Sequence, residues 1–409
     1  MQEIKRILIL TADAGFGHRS AANAVAAAVV EKYGDTCAVE IVNPLDDKSV
    51  PAVLRDTQTD YDTIVKNVPK LYSLGYDISD ATVPIAMIDF ALILTLFDAL
   101  DALIRKIRPH VVITTYPLYQ GPLKVVCQIR QYRIPLLTVV TDLVSVHGIW
   151  FHEAADLCLV PTTAAQSLAL EHGLAPEKVR LTGIPVHPRI VAETRAPAEI
   201  RAELGWRNDL ITVLAVGSKR VGNLREILHV LNHSAMPIQT IIVTGGDDKL
   251  YEELQKREWH MMTRLYNFVD NLPMMMHAAD LIMCKAGGLI VSESLACGLP
   301  LLLVDVLPGQ ETGNAEYVIE NEAGEWVKTP VGALETLYHW LNYGGAQMKK
   351  RADNARRIGH PRAAYEIATE AWFAANNPLQ RHSQNWLERS RLIAWLNRHN
   401  GPWKDDSSA

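Results

Sequence analysis

The sequence predicts an α/β protein built from two doubly wound, Rossmann-like domains that face each other across a cleft. Three observations carry this expectation. The chain has 409 residues, more than one hydrophobic core usually supports, so two domains are expected. Short apolar, β-branched runs alternate with helical patterns along both halves, the rhythm of a parallel sheet covered by helices. That rhythm breaks once, between Gly183 and Trp206, where Pro185, Pro188 and Pro197 fall in a polar stretch.

In the first half, Ile7 to Leu10, Val39 to Val42, Val111 to Thr114, Leu136 to Val140 and Leu157 to Val160 read as strands, with a helix from about Ser20 to Tyr33. The compact apolar runs suit strands buried on both faces. Ile211 to Ala215, Thr240 to Val243, Asn267 to Val269, Leu281 to Cys284 and Leu301 to Val304 repeat the pattern in the second half. The expected organisation is a first domain over 1–190, a second over 191–375, and a helical return segment with a polar tail over 376–409. The most apolar stretch, Val83 to Ile104, contains Asp89, Asp98 and Asp101; a spanning helix would bury them in hydrocarbon, so a helix buried in the first domain is expected. Pro51 to Pro84 is long for a connection and mixes Lys66, Lys70, Tyr72 and Tyr76. It suits an interfacial flap and a plain surface excursion equally.

A formal net charge of −6 argues against a nucleic-acid partner, whose phosphates call for a basic excess. The five cysteines are far apart and form no CxxC pair, so neither a zinc site nor a disulfide framework is indicated. A reducing, cytoplasmic setting is expected, since the first strand begins within a few residues of Met1 and leaves no room for a secretory signal.

Three loops carry the chemistry. After the first strand, Thr11 to Ser20 places Gly15, Gly17 and His18 before an Ala-rich helix. A strand, a glycine turn and a helix start favour anions, and His18 stands where an imidazole can take a proton, or can simply cap the turn. In the second domain, Lys285 to Pro300 follows a strand and opens a helix. Gly287 and Gly288 there can present backbone N–H groups to a diphosphate, and the Glu293 carboxylate can accept from the vicinal hydroxyls of a ribose. After the next strand, Gln310 and Glu311 suit paired hexose hydroxyls, and Asn314 the ribose or phosphate region. The one DxD-type run, Asp60 to Asp62, falls in a polar stretch and reads as a solvated loop.

Together with the Thr141-Asp142-Leu143 to Trp150-Phe151-His152 segment and the Gly183-Ile184-Pro185 turn, these loops resemble the glycosyltransferase family of monogalactosyldiacylglycerol synthase, the processive diacylglycerol glucosyltransferases and, more distantly, the peptidoglycan N-acetylglucosaminyltransferase. The resemblance covers most of the chain. It implies the GT-B fold, a UDP-sugar donor against the C-terminal domain, a lipid acceptor against the N-terminal one, and inversion at the anomeric carbon. It implicates His18 in catalysis, Glu293 in ribose binding, and Gln310 with Glu311 in sugar recognition. Asp142 and His147 would line the acceptor side together with the loop of Gly15 and Gly17, and either His18 or Asp142 can supply the base.

One loop departs from the family pattern. Where a glycine-rich turn is expected, the chain reads Val216 to Asn223 and keeps Gly217 and Gly222. Lys219 or Arg220 there can pair with the diphosphate. The expected protein is thus an inverting hexosyltransferase using UDP-galactose or UDP-glucose and a lipid acceptor, diacylglycerol foremost, at the cytoplasmic face of a membrane. No metal or cofactor is expected. The rivals are a nucleotide-sugar-binding protein, an epimerase-like enzyme without a lipid groove, and a dehydrogenase in which Glu40 would meet a ribose.

Overall fold

In the computed structural model, which describes residues 3–13, 16–51, 82–219, 221–309 and 311–377, twelve strands form two parallel six-stranded sheets. The first holds β1 (Lys5–Leu10), β2 (Cys37–Val42), β3 (Val111–Thr114), β4 (Leu136–Val139), β5 (Leu157–Val160) and β6 (Val179–Leu181) in the order β2-β1-β3-β4-β5-β6. The second holds β7 (Ile211–Val216), β8 (Ile238–Val243), β9 (Met262–Tyr266), β10 (Leu281–Lys285), β11 (Leu301–Asp305) and β12 (Gly324–Trp326) in the order β12-β11-β10-β7-β8-β9. Each sheet winds outward in both directions from its first strand. The reversal points, β1 beside β3 and β7 beside β10, leave crevices outside the strand carboxyl ends, where open α/β sheets bind ligands.

Period-two alternation builds the cores. Ile7 and Ile9 point to one face of the first sheet with Ala22, Val25 and Val29 of α1 (Phe16–Tyr33). Leu8 and Leu10 point to the other with Leu92, Leu96 and Leu100 of α2 (Thr82–Ile107). Each such side chain, removed from water, contributes about 1.5–3 kcal/mol. The described part of the apolar 83–104 stretch is therefore a core helix. Its Asp101 is buried and held by Arg130 through hydrogen bonds of 3.0 and 2.7 Å, while Asp98 faces solvent.

Three strands differ from the sequence reading. Asn267 to Val269 is not a strand; the ladder ends at Tyr266. β9 is an edge strand whose residues alternate in exposure, so it lacks the continuous apolar run that marks the central strands. β6 and β12, three residues each at the opposite edges of the two sheets, were too short to stand out. The first helix begins at Phe16, which places Gly17 and His18 in its first turn.

Four further elements position the site: α3 (Gly288–Ala296), α4 (Thr312–Glu320), the long α5 (Pro330–Ile358) and α6 (Ala363–Asn376). α6 follows the second domain but packs on the first sheet. Its Ala364, Ile367, Ala368 and Ala371 meet Ile7, Ile9 and the alanines of α1 in one core, because small side chains on both helices let them approach closely. The chain thus returns to the first domain at about residue 363, earlier than the expected 376. Forward and return connections cross side by side: Gly183, at φ +92°, lies directly against the side chain of His360, and Gly359 against the backbone of Leu295.

Candidate active site

At the reversal point of the first sheet, Thr11 and Thr115 follow β1 and β3 and tie the two strand ends together, with 3.0 Å between their hydroxyls. The Thr115 hydroxyl also donates to the backbone carbonyl of His18 at 3.0 Å, which fixes the first turn of α1 over the strand ends. The His18 Nδ1 lies 2.9 Å from the Thr115 carbonyl and 2.8 Å from the Thr141 Oγ1. A carbonyl only accepts, so Nδ1 carries the hydrogen and Nε2 keeps its lone pair. Tyr116 and Trp150 pack on the ring at centroid distances of 5.0 and 6.1 Å. Burial lowers the pKa of His18 to about 4 against the raising effect of the Thr115 carbonyl, which leaves a neutral imidazole at neutral pH.

Asp142 follows Thr141. Its Oδ2 accepts from the Trp150 indole N–H at 2.7 Å, and burial, opposed by that bond, raises its pKa to about 6. His147 caps the short turn Gly148–Trp150, its Nδ1 accepting from the Ile149 N–H at 3.2 Å. Its visible role is to seat Trp150, which touches His18 and holds Asp142.

In the second domain β10 ends at Lys285, at the reversal point, and Gly287 caps α3 with extended backbone. The first N–H groups of α3 have no intrahelical acceptor. Asn314 donates to the Ala286 carbonyl at 2.9 Å and thereby holds this turn; its Oδ1 is buried without a hydrogen-bond partner. The Glu293 carboxylate, within α3, has no hydrogen bond raising or lowering its pKa, and burial alone pushes it to about 7. Glu311 is buried and takes Lys285 on Oε1 and the Leu307 N–H, at 3.0 Å, on Oε2.

In the described part of the loop after β7, both glycine N–H groups are taken up within the protein. The Gly217 N–H donates to the Val243 carbonyl at 2.8 Å, and the Gly222 N–H to Asp305 Oδ2 at 2.7 Å. Gly217 therefore serves close packing, its absent side chain leaving room for Leu224 and Leu250. Lys219 is exposed on this loop. Gly15, Arg220 and Gln310 lie outside the described residues, as do the 52–81 segment with its DxD-type run and the tail beyond 377.

The two halves meet at these loops. A Cβ on Gly288 would lie 3.1 Å from the Thr141 carbonyl and 3.4 Å from Ile184, and one on Gly313 would collide with Ser145. The start of α3, the start of α4 and the 141–145 segment are thus in direct contact. Thr141 joins the halves: its hydroxyl meets His18 and its carbonyl faces Gly288. Thr115, Thr141, Trp150 and Lys285 were not assigned roles from the sequence. Lys285 alone had a positional signal, as a cation at a strand's carboxyl end two residues before a helix-capping glycine.

The monogalactosyldiacylglycerol (MGDG) synthase family model matches residues 18–186, and the glycosyltransferase family 28 C-terminal domain matches 212–357. The chloroplastic monogalactosyldiacylglycerol synthase of Spinacia oleracea is 31% identical over 89% of this chain and 71% of its own length. The chain belongs to the monogalactosyldiacylglycerol synthase family. Monogalactosyldiacylglycerol synthase 2 of Arabidopsis thaliana is 30% identical over 90% of this chain and 81% of its own. Among solved structures, Acinetobacter baumannii MurG superposes with a TM-score of 0.60 at 17% identity, covering 90% of this chain and 99% of that one. The UDP co-structure of S. aureus MnaA superposes at 0.58 and 13% identity, covering 91% and 97%. The fold is GT-B, as the family resemblance implied.

Proposed function

We propose that this member of the family transfers a hexose from a UDP-sugar to diacylglycerol, with inversion, while docked on a membrane face on the cytoplasmic side. The observation that carries the reading is the contact chain from His18 through Thr141 to Gly288. It supports the reading because a neutral imidazole with an unprotonated Nε2 is then separated by Thr141 alone from the helix start that would receive the donor diphosphate. The acceptor hydroxyl gives its proton to Nε2 as its oxygen bonds to the anomeric carbon; the bond to the β-phosphate breaks, and UDP leaves with that electron pair. The 141–150 segment, with Asp142 and Trp150, forms the acceptor side, and α3 with Glu293 and Glu311 the donor side. Docking is proposed to be peripheral, and no helix among the described residues is long and apolar enough to cross a membrane.

The test is incubation of the purified protein with UDP-galactose or UDP-glucose and vesicles containing diacylglycerol, followed by mass spectrometry of the lipids. One hexosyl-diacylglycerol is expected, and its formation should persist in EDTA, since cations and helix termini are proposed to balance the diphosphate. Conversion or hydrolysis of the donor without a glycolipid would favour an epimerase-like enzyme on the same architecture.

Glu293 supplies a second expectation. Ribose hydroxyls donate to an ionised carboxylate, so nucleoside binding needs Glu293 charged, and its pKa of about 7 puts the loss below neutrality. Uridine affinity, measured by calorimetry, should weaken by up to about tenfold per pH unit below pH 7. Glu293→Gln should flatten this dependence; an unchanged profile would remove Glu293 from the ribose.

A further inference from the structure

We propose that Lys285 is the cation that receives the donor diphosphate, and that its release from Glu311 is what frees Glu311 for the sugar. The inference rests on the donor reading above. Both Glu311 oxygens accept a bond within the protein, one from the Lys285 ammonium and one from the Leu307 N–H. That uses about two of the four lone-pair sites of the carboxylate and holds Oε1 on the lysine, so presenting both oxygens to the hexose hydroxyls the sequence assigned to it requires the lysine to leave.

The pair is unequal in access: the lysine side chain is 27% exposed and the glutamate side chain 7%. A ligand entering the crevice therefore meets the ammonium first. Lys285 ends β10 at the reversal point of the sheet, and a Cβ on Gly287 would lie 3.2 Å from its Nζ. The absence of a side chain at the helix cap lets the ammonium lie across the turn where the first free N–H groups of α3 begin. The Asn314 side chain, 4% exposed, stands at the same turn, its Nδ2 3.8 Å from where a Cβ on Gly288 would lie, and its partnerless Oδ1 can accept from a hydroxyl of the donor but not from its phosphates.

A diphosphate at this turn competes with Glu311 for Lys285. As the ammonium swings to the phosphate, Glu311 Oε1 loses its donor and turns to the hexose hydroxyls. The ammonium neutralises part of the charge UDP gains when the anomeric C–O bond breaks and its electron pair remains on the phosphate oxygen. The arrangement ties sugar recognition to occupation of the diphosphate site, so a free hexose gains nothing from Glu311.

Calorimetry with UDP, uridine and UDP-hexose on the wild-type protein and on Lys285→Gln, Lys285→Arg and Glu311→Gln tests this. Lys285→Gln should weaken UDP by about ten- to hundredfold, the range of a lost charge-assisted hydrogen bond, and leave uridine within about twofold. Lys285→Arg keeps the charge and should retain most of the UDP affinity, which also covers failure of the glutamine variant to fold. Glu311→Gln still accepts the Leu307 N–H but releases the lysine; it should tighten UDP several-fold and erase any gain from the hexose. Equal loss of UDP and uridine in both the Lys285→Gln and Glu311→Gln proteins would make the pair a structural strut and overturn the proposal, as would unchanged UDP binding in Lys285→Gln. A wild-type protein that binds no UDP would instead overturn the donor reading itself.

Discussion

Replacing His18 with alanine is expected to lower the rate of hexose transfer by about 10²–10⁴-fold, the usual contribution of a positioned general base, while UDP affinity stays within about twofold of wild type. The separation follows from the geometry. The His18 ring is held by Thr115, Thr141, Tyr116 and Trp150, all of the first domain, whereas the turn proposed to receive the donor is built from Lys285, Gly287 and Asn314. Loss of UDP binding together with activity would assign His18 to the donor site. The pH profile tests the partnership with Asp142. His18 takes up a proton only near pH 4 and Asp142 near pH 6. A charged Asp142, linked to the ring through Trp150, favours the imidazolium that forms in the transition state. The kcat/KM of wild type should therefore fall as pH drops through about 6, when Asp142 is neutralised. Asp142→Asn should show a lower plateau that holds down to about pH 4. If that variant keeps the limb near pH 6, another group titrates there.

How much of this was open to sequence reading depended on what kind of force fixes each residue. The central strands were legible because burial on both faces demands continuous apolar runs such as Leu281 to Cys284. β9 was displaced by several residues because an edge strand has no such demand. Gly287 and Gly288 were legible as a helix start, since a glycine pair after a strand leaves a local mark. The tautomer of His18 was not, because the Thr115 and Thr141 groups that set it are 97 and 123 residues away. The pairing of Lys285 with Glu311 was hidden for the same reason: it joins two loops that each look self-sufficient. The return of α6 to the first sheet was equally opaque, since its alanines would suit a core in either domain.

The largest stability effect is expected at the crossing of the two interdomain connections. Gly183 has φ +92°, a region in which a side chain strains the backbone, and a Cβ there would run into the Cβ and ring of His360 on the return strand of chain. Strain of this kind costs about 1–2 kcal/mol by itself, and the collision adds to it, so Gly183→Ala should destabilise the protein by about 3 kcal/mol or more. Neither connection can yield easily. Gly183 donates from its N–H to the Val160 carbonyl at 3.3 Å, while Gly359 is itself packed on the Leu295 backbone, which belongs to α3, the helix proposed to receive the donor. Displacing His360 therefore pushes on the element that carries Glu293, and the variant should bind uridine more weakly as well as melt earlier. Combining Gly183→Ala with His360→Gly removes the collision but not the backbone strain, so thermal unfolding of the double variant should recover part of the loss. A Gly183→Ala protein with wild-type melting and uridine affinity would show that the two connections can separate without cost, and that the domains are not held in register there.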